Sequence, residues 1–571
     1  MKKIARLFCI GLLIASCSGK ENGGNTPDKV NLEIDFSSDK TEAYTGEEVV
    51  FTATAKGGTA PYTFEWDFSD GITKTGESAT VVWETAGVKI ITLRATDAKG
   101  NAALQPKSRT YKVSEAPIED KGDISILWVK EIPGATGVRS SSPAIDDAGN
   151  VYLVANKSDD ALLVKVSADG SNVQTASMKP TPNNSDGTPS IDKDGNIYAY
   201  GGTGAGGSLH KFTSALAVTW AGEFWNKGNA ANPKMWYGAP VQVNDEVILV
   251  ANAGSTGTVG AIKKADGTRV SWMLSKEGNG GPSGGCRQSP VVSKDGYLWQ
   301  VCAANGVAGM EVNALLKPGG TSLDFLAKTL DDETTTLTSA GSDRPAHAVV
   351  NVGGTNYCAG YCTPTGSPTQ IYILGRKTNE AGGVVDGKVF LIDASNTSIL
   401  NEKAQDQGAT IVGANGEVIV SLKASDSHAV ADGGLVAINP ATMQLAWEFR
   451  ISDDAEGAAL TKEGNVVFGT DQGSFYIVKP GAGKAELVAK ADINALAAEA
   501  GLDMSDEKAN IKMWSNVTVG DDGTMYIGFQ KVGTDENGAG ILALKSSAVT
   551  GPGTSCWPMY GVDRKHTGVQ K

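Results

Sequence analysis

Histidine is scarce in this chain. Only His210, His347, His428 and His566 occur in 571 residues, and none falls in an His-Glu-x-x-His or comparable pairing, which removes the helical zinc-hydrolase signature. No Gly-x-Ser-x-Gly elbow, phosphate-cradling glycine loop or paired-glutamate motif stands out, so the sequence does not point to the common hydrolase and nucleotide-binding signatures. A site assembled from residues far apart in sequence would leave no such mark. Cationic excess is also missing. Lys and Arg total 50 against 64 Asp and Glu, a formal charge of −14. Nucleic acid, whose phosphates demand a basic face, is therefore not a partner. Aromatics make up 7% and helix-length amphipathic patterns are few, whereas glycine numbers 71. That balance belongs to a turn-rich, all-β protein.

Long hydrophobic runs are limited to Leu7–Ala15, too short to span a bilayer. The run follows Lys2-Lys3-Ile-Ala-Arg6 and ends in Leu13-Ile-Ala-Ser-Cys17, the order of a secretory leader. Small residues directly before a cysteine resemble the bacterial lipoprotein signal. The resemblance implies a signal peptide over residues 1–16, lipid (palmitate) on Cys17 as first mature residue, and a membrane anchor. Without Lys2, Lys3 and Arg6 the charge becomes about −17, an acidity that serves solubility. Residues 17–29 are a polar, Gly-rich tether.

Export to an oxidising space makes the other cysteines disulfide candidates. Cys286 and Cys302 flank a turn at Asp295-Gly296, Cys358 and Cys362 lie four apart in a segment read as a Gly/Pro/Thr loop, and Cys556 is left over. Cys-x₃-Cys with no nearby histidine is not a zinc pattern, so these read as loop staples and no metal is expected.

What is abundant is repetition. Ser142-Pro143-Ala-Ile-Asp-Asp-Ala-Gly-Asn-Val-Tyr152, Thr188-Pro189-Ser-Ile-Asp-Lys-Asp-Gly-Asn-Ile-Tyr198 and Ser289-Pro290-Val-Val-Ser-Lys-Asp-Gly-Tyr-Leu-Trp299 are three clear copies of one unit. Weaker copies run from Ala239 to Val250, Ala409 to Val420, Ala458 to Phe468 and Asn516 to Tyr526, and a divergent one starts at Arg344-Pro345. Each is an apolar run, a tight turn carrying glycine and a second apolar run. Strand units recurring at about 35–60 residues predict a radial array of blades. The expected fold is an all-β, eight-bladed β-propeller over 124–571, with seven blades as the alternative. Ile124–Lys130, carrying Trp128, has no unit of its own, so it is predicted to complete the last blade and seal the ring. Asp492 to Gly501 reads as a short helix with Asp492 as cap.

Ahead of the repeats, residues 30–115 hold five alternating strands, the pattern of a small sandwich, and 116–123 form a linker. Tyr62-Thr-Phe-Glu-Trp66-Asp67-Phe68-Ser69-Asp70-Gly71, Trp83-Glu-Thr-Ala-Gly87-Val88 and Ala95-Thr-Asp-Ala-Lys-Gly100 resemble the PKD domain, an immunoglobulin-like module. Ser69 stands where that family usually has glycine. The resemblance implies a spacer with Trp66 and Phe68 in its core.

Ala437-Ile-Asn439-Pro-Ala-Thr442-Met-Gln-Leu-Ala-Trp447 and the looser Ala261 to Trp272 resemble the tryptophan-docking repeat of propellers related to quinoprotein alcohol dehydrogenases, as does the tail from Trp557 to Gly568. The resemblance implies that Trp128, Trp220, Trp272 and Trp447 wedge between blades. Those dehydrogenases hold a quinone (PQQ) beside a disulfide between adjacent cysteines, with a metal-bound Asp as base. This chain has no adjacent cysteines and no Cys-x-x-Cys-His haem site. Asp192-Lys-Asp194-Gly195 reads as a hairpin turn, since a calcium loop needs more oxygen ligands. Neither PQQ nor calcium is expected.

In a propeller the loops leading into each first strand open on one rim. Here they carry Arg139, Asn183 to Asp186, Trp236 and Tyr237, Arg287 and Gln288, Asp343 and Arg344, Gln405 to Gln407, Asp453 and Asp454, and Lys512 to Asn516 with Trp514. Trp236, Tyr237 and Trp514 would stack on sugar C–H faces; Arg139, Arg287, Gln288, Arg344 and Asn516 would bind hydroxyl or carboxylate groups. The competing reading packs each aromatic against a neighbouring loop. A lipidated, PKD-spaced propeller resembles accessory lipoproteins of Gram-negative bacteria of the Bacteroides type. That implies outer-membrane anchoring, with the cell surface favoured over the periplasmic face, carbohydrate as ligand, an outer-membrane transporter as partner, and binding rather than catalysis. The alternatives are a protein-binding scaffold of an outer-membrane assembly and a polysaccharide lyase or quinone-dependent oxidoreductase.

Overall fold

The computed structural model describes residues 32–114, 118–138, 141–157, 160–178, 186–201, 208–223, 237–252, 258–274, 289–294, 296–303, 310–315, 347–362, 369–374, 387–393, 395–399, 408–423, 433–533 and 538–570. The chain forms two compact units, divided near residue 114. No helix among the described residues is long and apolar enough to cross a membrane.

The first unit is a β-sandwich. β1 (Glu33–Ser38), β2 (Glu42–Tyr44), β3 (Glu48–Lys56), β4 (Thr63–Asp67), β5 (Thr73–Thr75), β6 (Ser78–Val82), β7 (Gly87–Thr96) and β8 (Lys107–Ser114) make one sheet of order β1-β3-β6 and another of order β2-β8-β7-β4-β5. Alternation along the strands sends Phe51, Trp66, Phe68, Trp83 and Tyr111 inward. Trp66 stacks on Phe68 at 5.5 Å and Trp83 on Tyr111 at 5.5 Å. Five predicted strands are present; the three missed, β2, β5 and β6, are short. Ser69 occupies φ 64°, which explains the usual glycine, and its hydroxyl donates to Ile90 O at 2.9 Å.

The second unit is a β-propeller. Among the described residues eight sheets of three to five strands follow in chain order, and each of the eight sequence units supplies one. In the first, Ala144–Ile145, Val151–Lys157, Asp160–Val166 and Val173–Ser177 pair antiparallel in succession. The unit's first turn is built by its aspartate. Asp146 accepts from Ala148 N at 2.9 Å and Asn150 N at 2.8 Å, and Tyr152 OH donates to it at 3.0 Å. Asp192 and Tyr198 repeat this set, so the Asp192–Gly195 stretch is a hairpin turn.

Closure follows the expectation. β9 (Ser125–Glu131) pairs with Gly538–Lys545 as the outer strand of the last sheet. Trp128 then crosses to the first sheet, donating its indole N–H to Ala168 O at 3.2 Å beside Gly170. Trp220 makes the same contact two seams on, with Lys264 O at 3.0 Å, and Gly483 pairs with Trp447 in the equivalent place at a later seam. The side chain of Trp272 lies outside the described residues.

The innermost strands are about two residues long and would leave bare hydrogen-bonding edges around the axis. The C-terminal segment fills that axis. Ile145, Ile191, Gln242, Val292, Val412 and Leu460, from six different sheets, donate backbone N–H groups to Arg564, Lys565, Thr567, Gly568, Trp557 and Pro558 carbonyls at 2.7–3.1 Å. Cys556 Sγ donates to Val349 O at 3.3 Å in a seventh sheet, and His566 meets Thr518 of the eighth at 3.5 Å. Trp557, Met559 and His566 are buried.

One disulfide expectation is corrected. Cys358 and Cys362 lie not in a loop but on one strand, Thr355–Cys362. Four strand residues span about 13 Å, whereas a disulfide needs Cα atoms within about 7 Å. Cys358 is free and fully buried, and burial pushes its thiol up. Cys556 is also free. Cys286 and the side chain of Cys302 lie outside the described residues.

Ending the chain at Thr550 should abolish cooperative folding of the propeller, because six inner-edge amides lose their acceptors at about 1–3 kcal/mol each; an unchanged urea midpoint would overturn this. A Cβ on Gly170 would sit 2.5 Å from the Trp128 ring, whereas one on Gly195, also at positive φ, meets nothing. Gly170→Ala should therefore destabilise by about 1–3 kcal/mol more than Gly195→Ala in urea unfolding.

Candidate functional site

Successive antiparallel strands place the connections at two ends of each sheet. The turns of the repeat, such as 146–150 and 167–172, lie at one end. The loops between second and third strands, and those entering each first strand, lie at the other. The second is the predicted rim. Its most fully described part comes from the sixth, seventh and eighth sheets: Lys423, Asp453 to Glu456, Asp471 and Gln472, and Asn510 to Asn516.

This sector is held by local chemistry. A helix, Ile493–Glu499, starts at Asp492, whose carboxylate caps Asn494 N at 2.9 Å, the cap expected from sequence. Asn494 accepts from Ile511 N at 2.8 Å and donates to Gln472 O at 3.2 Å and Asn510 Oδ1 at 3.1 Å. The strand Asn510–Lys512 is thereby fixed against the seventh sheet. Its continuation brings the Lys512 ammonium to 5.3 Å from the Trp514 ring centre and 3.1 Å from Asp471 Oδ2. Trp514 is half-buried. Lys423 pairs with Asp454 at 3.1 Å.

The carboxyl groups here are unequal. Burial and a hydrogen bond to Asp471 push Asp453 up to about 7. Burial works to raise Asp471 as well, but the hydrogen bond from Asp453 and the Lys512 ammonium hold it below its ordinary value. Asp453 is thus the proton donor and Asp471 the ionised acceptor. Glu456 is 3% exposed, and burial pushes it well above the usual carboxylate range against the pull of Lys423. The sector presents carboxylic acid, carboxylate, amide and indole side by side, groups that donate to and accept from hydroxyls.

Of the predicted rim residues, Trp514 joins this cluster. Asn516 does not. It is 2% exposed, donates from Nδ2 to Ser142 Oγ at 2.8 Å and accepts from Ala409 N at 2.8 Å. It ties three sheets together across the axis, which corrects its assignment as a ligand contact. Tyr237 begins a two-residue parallel pairing with Asp186, so two of the predicted rim segments lie side by side; its side chain lies outside the described residues. Arg139, Trp236, Arg287, Gln288 and Arg344 lie wholly outside them. Lys423, Glu456 and Asp471 were missed. The acidic run Asp453-Asp454-Ala-Glu456 was the available signal.

Three histidines are structural. His210, His347 and His566 are each lowered to about 4 by burial and bond to Ser208, Tyr372 and Pro189. No group of three or more His, Cys, Asp or Glu among the described residues could hold a metal ion.

The Asp453 shift carries a stability consequence. As pH rises from about 4 to about 7 the unfolded carboxyl loses its proton while the folded one keeps it, so stability falls through that window. Asp453→Asn retains a donor to Asp471 and removes this contribution. Its melting temperature should fall less than wild type between about pH 4 and about pH 8, and should lie above wild type at the higher pH; parallel curves would contradict the shared proton.

Comparison with known proteins agrees with this architecture. Residues 33–112 match the PKD domain family. No curated protein matches the chain. Among solved structures it is similar to the quinohemoprotein alcohol dehydrogenase of Comamonas testosteroni, at 13% identity over 76% of this chain and 78% of that one, with TM-score 0.53. A quinoprotein alcohol dehydrogenase-like protein of Bacteroides thetaiotaomicron matches at 10% identity over 90% and 94%, TM-score 0.31. BamB of Moraxella catarrhalis matches at 12% over 80% and 96%, TM-score 0.31. The chain therefore consists of a PKD domain followed by a β-propeller with the fold of the quinoprotein alcohol dehydrogenase-like proteins.

Proposed function

We propose that this protein is a non-catalytic carbohydrate-binding lipoprotein. It is anchored by lipid on Cys17 in the outer membrane, facing the cell surface, and captures a polysaccharide or oligosaccharide on the loop end of its propeller beside a transporter. The observation that carries this reading is the Trp514 sector, where Lys512 links a half-buried indole to Asp471, which in turn bonds Gln472 and Asn510. Aromatic faces take the C–H faces of sugars, and neutral or singly charged hydrogen-bonding groups take the hydroxyls. The pairing of Asp453 with Asp471 supports a neutral ligand, since one shared proton spares that pair a second charge.

Affinity electrophoresis or calorimetry against a glycan panel tests it. Trp514→Ala should weaken the retained glycan at least tenfold, about 1.4 kcal/mol, with the fold intact. No retardation and no heat with any glycan would sink the reading. Capture of an outer-membrane protein without glycan binding would favour the scaffold, and depolymerised product would favour a lyase. Cys17→Ser should lose palmitate labelling and membrane association, and protease shaving of whole cells should remove the wild-type protein.

A further inference from the structure

A different chemical environment lies at the turn end of the propeller, where the repeat's first turns meet the C-terminal segment. A cavity of about 640 Å³ opens there, within the range of small-molecule sites, about 300–1,000 Å³. Its walls carry many charges, and most are spent on one another. Lys565 lies 2.7 Å from Asp147. Arg564 lies 2.9 Å from Asp147 and 3.1 Å from Asp521. Lys193 lies 3.0 Å from Asp194, and Asp192 is occupied by its own turn and by Tyr198.

Lys264 is different. It is 7% exposed and lines the cavity, yet its ammonium makes no hydrogen bond or ion pair with any described residue. Burial works against its charge and holds it below the ordinary lysine value. Asp192, Asp245 and Asp194 favour its charge from a distance, but none of them pairs with it directly. In the same lining, Gln242 donates from Nε2 to Ser190 Oγ at 2.7 Å, while its Oε1 is buried with no partner. The cavity thus holds a cation with no directly bonded anion among the described residues and an acceptor lacking a donor.

Those two groups define a ligand. A carboxylate would pair with Lys264, and a hydroxyl of the same molecule would donate to Gln242 Oε1. A neutral polyol would leave Lys264 unpaired. Asp147, Asp245 and Asp521 in the walls repel a polyanion. We propose that this cavity binds a small monoanionic hydroxy-carboxylate of the sugar-acid class, its carboxylate on Lys264 and a hydroxyl on Gln242. The site shares no residue with the rim and does not rest on the carbohydrate reading above.

Isothermal titration of the full chain with sodium D-glucuronate, sodium D-gluconate and D-glucose tests it. A sugar acid should bind saturably and glucose should not. Lys264→Met keeps the aliphatic stem and removes only the buried charge, so the fold should hold and affinity should fall at least tenfold. Gln242→Leu should lose several-fold by a separate contact, which keeps the test decisive if the first variant misfolds. Absence of binding by both sugar acids, equal binding of glucose, or undiminished affinity in a folded Lys264→Met or Gln242→Leu protein would overturn the proposal.

Discussion

The propeller depends on satisfying its own inner edge. Each sheet narrows to a first strand of about two residues, and those strands converge where no neighbouring sheet can pair with them. Their amides would be buried and unbonded, the costliest state a backbone group can occupy. The segment from Gly551 to Gln570 resolves this by threading the axis, with a carbonyl for each of six sheets and side-chain contacts for the other two. Glycine and proline in Trp557-Pro-Met-Tyr-Gly-Val-Asp-Arg-Lys-His-Thr-Gly568 let the segment turn as it passes from sheet to sheet, and Trp557, Met559 and Tyr560 fill the space between them. The outer circumference is sealed differently. There β9 supplies the last sheet's fourth strand and Trp128 locks the seam to the first sheet.

Sealing the axis separates the two ends of the molecule. At the loop end the loops carry no repeat signature. At the turn end the sequence is committed. Asp146 and Asp192 hold their turns, and Arg564 and Lys565 anchor the tail to them. Commitment to scaffold does not empty that end of chemistry. The turns of the first three sheets and the tail enclose a cavity, and the charges that fix the fold are arranged around one cation they leave unpaired.

Much of the architecture was legible in the sequence because it is written in local rules. The Asp-x-x-Gly-Asn-x-Tyr turn, the docking tryptophans, the Asp492 cap and the orphan first strand each follow from residues within a few positions of one another. What was not legible depends on distance along the chain. Asn516 looks like a rim amide, yet it reaches Ser142 and Ala409. Cys358 and Cys362 look like a loop staple because Gly, Pro and Thr follow them, yet the strand runs through both. The tail resembles a family segment without revealing that it is the hub. Lys264 sits in an ordinary Lys-Lys-Ala-Asp-Gly turn and shows no signal until the fold buries it.

The net acidity of the chain is a poor guide to what either end recognises. At the rim, burial pushes Asp453 up to about 7 and raises Glu456 well above the usual carboxylate range, which favours hydrogen-bond donors in a formally anionic cluster. Such a surface suits hydroxyl-rich, uncharged material better than a count of its carboxyls suggests. At the turn end the opposite holds. Ion pairs tie up several of the acidic side chains lining the cavity, and Lys264 is left with no directly bonded anion among the described residues. Burial decides both cases. By setting which groups keep their protons and which keep their partners, it makes the chemistry of each end differ from what a formal charge of −14 suggests.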